Sequence, residues 1–517
     1  MKENQVTKDS RIFYYIVGLI VVFLIAFTYI FDKKLDLNGD NAEYYVLATS
    51  IAGGHGYSDI TNEMHHSSNI FPPGYPLLMS AIRIVTDSII PQKVLNGLFL
   101  LSSTLLFFLF IRKNKLPDSM AFVACAIILL NYQVLHFATM MMSEMSFLFF
   151  SVLSLWLLSK MDEEKPFWKD PYFYSAIVTV AYAYHIRTQG IALAAAVTGY
   201  FLFTKRWKQL LAFAGGFAVC LLPWILRNKI ADVGQSRYIS MIAMSNPWRP
   251  EEGALGFGEI LGRFFETFGM LVTKAVPNSI LPYASVDYNA ATTGEWALAV
   301  VLFAFIGIGM WRFGKFKYLF LFYTIATFGV ISLFSTPSEN RYITPLLPFL
   351  EVSLLVGLYT GLSAGIRKMN LAKQFSPWIL LVAVFFSYPK LERLHAQNNT
   401  PYPPNYQNYF TIAEEAHKQL PANTVICSRK PMLFYMFGQT AVSSYAWTED
   451  DKALIKGLID SKTDYVVLEQ LGYSSTARYL YPAIQNNLEL FPVVMHLPNP
   501  DTYLLKFERE KAIEKFR

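Results

Sequence analysis

Charge is scarce in this chain of 517 residues. Asp, Glu, Lys and Arg together make up 16% of it, where soluble domains carry about 25%. Hydrophobic residues reach 53% and mean hydropathy is +0.31, so a soluble fold would have no interior large enough to bury them. Cysteine is scarcer still. Of 3 cysteines, Cys125 and Cys220 fall inside apolar runs and Cys427 alone lies outside, which leaves no internal disulfide framework. No basic tract marks a nucleic-acid surface, and no internal repeat or low-complexity stretch is visible. Disorder, collagen and coiled coil are excluded by the same composition. What the chain has instead is apolar runs of membrane-spanning length, recurring from residue 12 to about 388. This predicts a polytopic α-helical membrane protein with a non-membrane tail.

The first run, Ile12 to Phe31, follows Lys8 and Arg11 as a signal sequence would. It is too long for a signal core and lacks a small-residue cleavage site, so it reads as a retained anchor. Further runs lie near Val94–Ile111, Met120–Leu135, Phe147–Leu158, Tyr172–Tyr184, Gly190–Phe203 and Leu210–Leu226. The series continues with Trp296–Trp311, Tyr318–Phe334, Ile343–Leu362 and Phe375–Tyr388, which makes about eleven spans. Alternate short connections carry Arg112, Lys113 and Lys115, then Lys160, Lys165 and Lys169, then Lys205, Arg206 and Lys208. Arg312, Lys315, Lys317, Arg367, Lys368 and Lys373 extend the pattern, while the opposite connections hold only Arg187 and Arg341. The positive-inside rule then makes the amino terminus cytoplasmic and the tail external, which in a bacterial inner membrane means periplasmic. Two long outer segments follow, about residues 32–91 and 227–295. We expect a membrane module over 1–388 and an α/β periplasmic domain over 389–517. Its strands are expected at TVICS, AVSSY and YVVLE, alternating with helical segments.

The first outer segment is the most informative. In NGDNAEYYVLATSIAGGHGYSD, Tyr44, Leu47, Ala48 and Ile51 form the apolar stripe of an amphipathic helix, placed along the membrane surface. Asp40 and Glu43 fit a capping arrangement, and Asp40 equally fits a carboxylate that takes a proton from an acceptor hydroxyl; the two roles are compatible. Downstream, Pro72, Pro73 and Pro76 stiffen SSNIFPPGYPLLMSAI, and Gly74 permits a bend. His55, His65 and His66 match no metal-ligand spacing, so a divalent metal is conceivable but unsupported and no cofactor is expected. Glu144 in MSEMSF sits at the outer end of the fourth span, where an ionisable group calls for a function. Arg187 in HIRTQG, and Glu339, Arg341 and Tyr342 in STPSENRYITPLLP, mark two more outer turns. Each arginine suits phosphate oxygens or an ion pair with a nearby carboxylate. LLPWILRNK, with Trp224 and Arg227, resembles an interfacial anchor.

Taken in order, GDNAEYY, FPPGYPLL, MSEMSF, HIRTQG, LPWILRN and SENRYITPLLP resemble the GT-C superfamily of membrane-embedded glycosyltransferases. Within it the chain is most similar to the bacterial protein O-mannosyltransferase and lipid A aminoarabinose transferase types. The resemblance implies sugar transfer from a polyisoprenyl-phosphate or -diphosphate donor to a glycan, lipid or protein acceptor, at the outer face of the lipid bilayer. It implies Asp40 as the catalytic base, Glu144 as a second catalytic acidic residue, and Arg187 and Arg341 as phosphate contacts. Glu43, Tyr44, Glu339 and Tyr342 would help to bind substrate. Where many relatives carry paired acidic residues at the first motif, this chain has Asp40 followed by Asn41. Attack in line by one activated acceptor on the anomeric carbon implies inversion. Two other readings stand beside this one: a multi-span transporter or lipid-linked sugar flippase, and a non-catalytic assembly subunit whose tail carries the function.

Overall fold

The computed structural model describes residues 2–37, 40–62, 65–162, 165–234, 241–246, 249–281, 289–334, 340–370 and 375–516. A helical bundle occupies the first three-quarters of the chain. Its elements begin with α1 (Lys2–Tyr29), α2 (Asn41–Ala52), α3 (Gly74–Arg83) and α4 (Ile90–Lys113). Next come α5 (Asp118–Leu130), α6 (Tyr132–Ala138), α7 (Glu144–Lys160), α8 (Pro171–Ile186), α9 (Gly190–Phe203) and α10 (Trp207–Ile230). The bundle is completed by α11 (Phe257–Met270), α12 (Thr293–Arg312), α13 (Lys317–Ser332), α14 (Leu347–Lys368) and α15 (Val384–Asn398).

Among the described residues, 5 helices are each long and apolar enough to cross a bilayer: the Ser10–Tyr29 part of α1, then α4, α10, α12 and α14. The expected run Met120–Leu135 forms α5 and α6, bent by 64° at Asn131. Asn131 itself explains the break. Its Oδ1 accepts from the backbone N–H groups of Gln133 and Val134, capping α6 and ending α5. The expected run Phe375–Tyr388 is a 3-10 turn, Pro377–Ala383, leading into α15.

Helix α7 shows why the bundle has two chemically distinct ends. It starts at Glu144 and ends at Lys160, about 25 Å apart at 1.5 Å per residue. At the Lys160 end, Lys113 lies within electrostatic reach of both Lys160 and Lys315. Three of the basic connections therefore meet at one rim, and Glu144 belongs to the other. Close helix contact is set by small residues: a Cβ on Gly309 of α12 would stand 1.7 Å from the Ser353 carbonyl oxygen of α14.

The tail adds α16 (Pro404–Gln419), α17 (Pro431–Gly438), α18 (Asp451–Asp460) and α19 (Arg509–Phe516) around a five-stranded sheet. Strand order is β2 (Ala441–Ser443), β1 (Val425–Cys427), β3 (Tyr465–Leu468), β5 (Thr502–Lys506), β4 (Val493–Leu497). The three expected strands are parallel to one another, and the β4–β5 hairpin extends the sheet antiparallel to β3. The tail rests on the rim that carries Glu144. Lys430 Nζ donates to the Leu37 carbonyl at 2.8 Å, Val442 N to that of Thr61 at 2.8 Å, and Leu35 N to Tyr402 Oη at 2.8 Å.

Helix α2 departs from the single apolar stripe expected for it. Asn41, Val46 and Ser50 are buried along with Tyr44, Leu47 and Ala48, because α3 covers one side and the tail helix α17 another. Gly74 likewise has a different reason from a bend. Its φ is not left-handed, but a Cβ there would stand 2.6 Å from the His185 carbonyl carbon, so only glycine lets α3 press on the last turn of α8.

Candidate functional site

At the tail-bearing rim four charged side chains from four distant segments form one row. Asp40 precedes α2, and its carbonyl accepts from Tyr44 N at 3.0 Å, but its carboxylate makes no cap bond to the helix. The carboxylate turns instead to Arg341, whose Nη2 donates to Asp40 Oδ2 at 2.6 Å. Arg341 Nε donates to Glu144 Oε1 at 2.5 Å, and Arg187 Nη1 donates to the same oxygen at 2.7 Å. The row reads minus, plus, minus, plus and is neutral as a whole. Glu144 is 0% exposed and Asp40 34%, so the row runs from the packed bundle out to solvent.

That burial decides how the charges behave. A single carboxylate at the depth of Glu144 would be costly, and two guanidinium groups on one oxygen compensate it. For Arg341, burial opposes the charged form, but Glu144 and Asp40 outweigh it and hold the guanidinium well above its ordinary value. The second oxygen of Glu144, Oε2, is buried without a hydrogen-bond partner among the described residues.

Each charge is held by its own support. Arg187 follows the last turn of α8, where Gly74 packs and where Tyr182 Oη donates to the Gly74 carbonyl at 3.0 Å. Its Nη1 also donates to Ser143 Oγ at 3.0 Å, and Ser143 lies 3.1 Å from Tyr44 Oη. Tyr44 is wedged between Phe71 and Tyr75. Asn96 Nδ2 donates to Tyr75 Oη and to the carbonyls of Met140 and Met142, which fixes the turn before Glu144. Arg341 and Tyr342 sit in a 3-10 turn, Asn340–Ile343. Gln133 Nε2 donates to Thr344 Oγ1 at 2.8 Å just beyond it, and Gln189 Nε2 donates to the Tyr342 carbonyl at 2.8 Å. The Tyr342 ring lies beside both arginines, 5.7 Å from the Arg187 guanidinium carbon and 5.9 Å from that of Arg341.

Of the residues singled out in the sequence, Asp40, Tyr44, Glu144, Arg187, Arg341 and Tyr342 therefore come together. Glu43 does not join them: with Asp36, Asn41, Lys430 and Met432 it lines a separate cavity of about 250 Å³ between α2 and the tail. Glu339 lies outside the described residues. Arg227 ties the end of α10 to the first outer segment, donating to the Ser68 carbonyl at 2.6 Å and to that of Tyr57. Among the described residues no three His, Cys, Asp or Glu side chains gather as a metal site would require. A groove open to solvent lies beside Arg187 and Tyr342 and is walled by Gln189, Val330, Ile331 and Phe334.

Ser143, Asn96 and Gln189 are neutral and carry no charge signal in the sequence, and Tyr75, an aromatic expected at the interface, is fully buried instead. Residue reading overlooked Glu351, a lone acid inside an apolar run, although that is a signal in itself. Glu351 is 1% exposed and accepts from Asn131 Nδ2 at 2.6 Å, so it braces the break between α5 and α6.

A multi-span bundle, a row of paired charges at one rim and an α/β tail seated over it together make a polytopic membrane protein whose fold is shared with solved structures of ArnT. Among the solved structures it resembles are two of ArnT from Cupriavidus metallidurans. One, bound to undecaprenyl phosphate, matches with a TM-score of 0.63 at 12% identity over 95% of this chain and 98% of that one. The other, in the apo state, matches with a TM-score of 0.62 at 12% identity over 97% of this chain and 98% of that one. A scan of protein-family models and a search of curated protein sequences return no match.

Proposed function

We propose that the chain is a glycosyltransferase of the bacterial inner membrane, moving a sugar from a polyisoprenyl-phosphate or -diphosphate donor to an acceptor at the periplasmic face. The observation that carries this reading is the row Asp40–Arg341–Glu144–Arg187 beside a largely apolar groove. A lipid-linked sugar needs two unlike surroundings side by side, apolar walls for the prenyl chain and cations for the phosphate. Val330, Ile331 and Phe334 supply the first, and Arg187 and Arg341 the second. The ArnT structure with undecaprenyl phosphate supports the same class of donor by likeness of fold.

In this reading the donor phosphate takes the Nη edge of Arg341 that Asp40 now occupies. Exchange of one anion for another leaves the guanidinium paired and releases Asp40. The freed carboxylate accepts the acceptor's proton while the acceptor oxygen or nitrogen bonds to the anomeric carbon. The carbon–oxygen bond to phosphate breaks, its electron pair leaves with phosphate, and the arginines hold the departing charge. One displacement inverts the anomeric configuration. Glu144 acts by fixing both guanidinium groups.

The test is the purified chain in nanodiscs with a polyprenyl-phosphate sugar. Asp40→Asn abolishes transfer while the variant still binds undecaprenyl phosphate. Transfer at the wild-type rate in that variant removes Asp40 from the role of base. Arg341→Ala raises the donor KM more than the acceptor KM, and equal rises mark a purely structural arginine.

A further inference from the structure

The tail contains a second cationic feature that the row of charges does not use. In the strand order β2-β1-β3-β5-β4, the chain leaves β1 for β2 on one side and later returns to β3 on the other. Open α/β sheets bind ligands at such a switch point, in the crevice beyond the carboxyl ends of the parallel strands. Three side chains from these ends converge there. Arg429 follows β1, Trp447 follows β2 and Tyr473 follows β3.

Their geometry is that of a clamp. The Arg429 guanidinium lies 4.7 Å from the Trp447 ring centre and 4.6 Å from that of Tyr473. Its Nε donates to Ser475 Oγ at 2.5 Å. Two aromatic faces and one hydroxyl thus set the plane and direction of the guanidinium. Among the described residues no carboxylate forms an ion pair with it, and its outer edge, Nη1 and Nη2, makes no hydrogen bond. Glu469 lies within electrostatic reach of it, but is turned to Thr476 Oγ1 and the Leu471 backbone N–H. Burial pushes the Glu469 carboxyl up, against those bonds and the pull of Arg429, which weakens it as a counter-ion. The next residue, Lys430, lies 5.4 Å from the Tyr473 ring and donates to the Leu37 carbonyl, three residues before Asp40.

The geometry points to an oxyanion-binding site at Arg429, framed by Trp447 and Tyr473, that holds a phosphate or carboxylate group of the acceptor. A planar fork with two open donors matches both groups, and its aromatic supports reduce the ordering cost of binding. The identification of the ligand as acceptor rests on the transferase reading; the site itself does not.

Full-length protein in nanodiscs is titrated calorimetrically with glucose 6-phosphate, glucuronate and uncharged glucose. Wild type binds at least one charged probe about tenfold more tightly than glucose, and Arg429→Gln removes that difference. Tyr473→Phe, which keeps the ring and loses only the hydroxyl, retains it and controls for folding of the tail. Preference for glucose 6-phosphate identifies a phosphate site, and preference for glucuronate a carboxylate site. Equal binding of all three sugars, no binding, or an unchanged preference in Arg429→Gln overturns the proposal. Asp40→Asn separates the two claims: it keeps the charged-probe preference whether or not the chain proves to be a transferase.

Discussion

The rim and the tail crevice both hold arginine, but in opposite states. Arg341 and Arg187 are tied to carboxylates, whereas Arg429 is held by rings and a hydroxyl with its donor edge open. The reason lies in the surroundings. Near the bilayer an unpaired guanidinium would be costly, so the bundle supplies its counter-ions internally. In the proposed reaction a ligand at the rim displaces a carboxylate, which then becomes available as a base. In the half-exposed crevice water can solvate the open edge, so binding there requires no exchange. On the proposed readings, the rim couples binding to chemistry and the crevice only holds.

The largest effect that sharpens this contrast is expected at Asp40. Asp40→Asn lowers kcat by about 10²–10⁴-fold, the usual contribution of a general base. Because Asp40 is the outermost member of the row, the melting temperature changes little. Glu144→Gln inverts that profile. It leaves two guanidinium groups in a buried site without their shared anion and destabilises the protein by about 3–5 kcal/mol, read by thermal denaturation in detergent. If Glu144→Gln melts like wild type, the rim is as well solvated as the crevice and the contrast fails.

How far these features were legible depends on whether they carry charge. Apolar length marked most of the bundle, and Asp40, Glu144, Arg187 and Arg341 stood out because ionised groups are rare at span ends. The parallel strands of the tail were legible from short β-branched runs. The β4–β5 hairpin was not, since Val493 and Val494 are exposed and give no buried alternation. Nor was the Arg429 clamp, whose parts lie on three strand ends that only the sheet order brings together. Gly74 was visible as a special residue, but its role as a contact point for the Arg187 turn depends on a partner over 100 residues away.

Asn41 offers a smaller test. Asn41→Asp places a second acidic residue beside Asp40. Here Asn41 is 2% exposed and its Nδ2 donates to the Asp36 carbonyl at 2.7 Å. Aspartate loses that donor and places a second buried charge there, so stability drops by about 1–3 kcal/mol. Higher activity without loss of stability would instead make Asn41 a substitute for a missing acid.

The smallest effect is expected at Tyr44, and it separates packing from chemistry within the row. Tyr44→Phe keeps the ring against Phe71 and Tyr75 and removes the hydroxyl that meets Ser143. Ser143 Oγ still accepts from Arg187, so no buried donor of that arginine is stranded. The loss is about 0.5–1.5 kcal/mol of stability, with the donor KM unchanged. A several-fold rise in donor KM at unchanged stability would place the Tyr44 hydroxyl on the phosphate itself, making it a direct binding group at the rim.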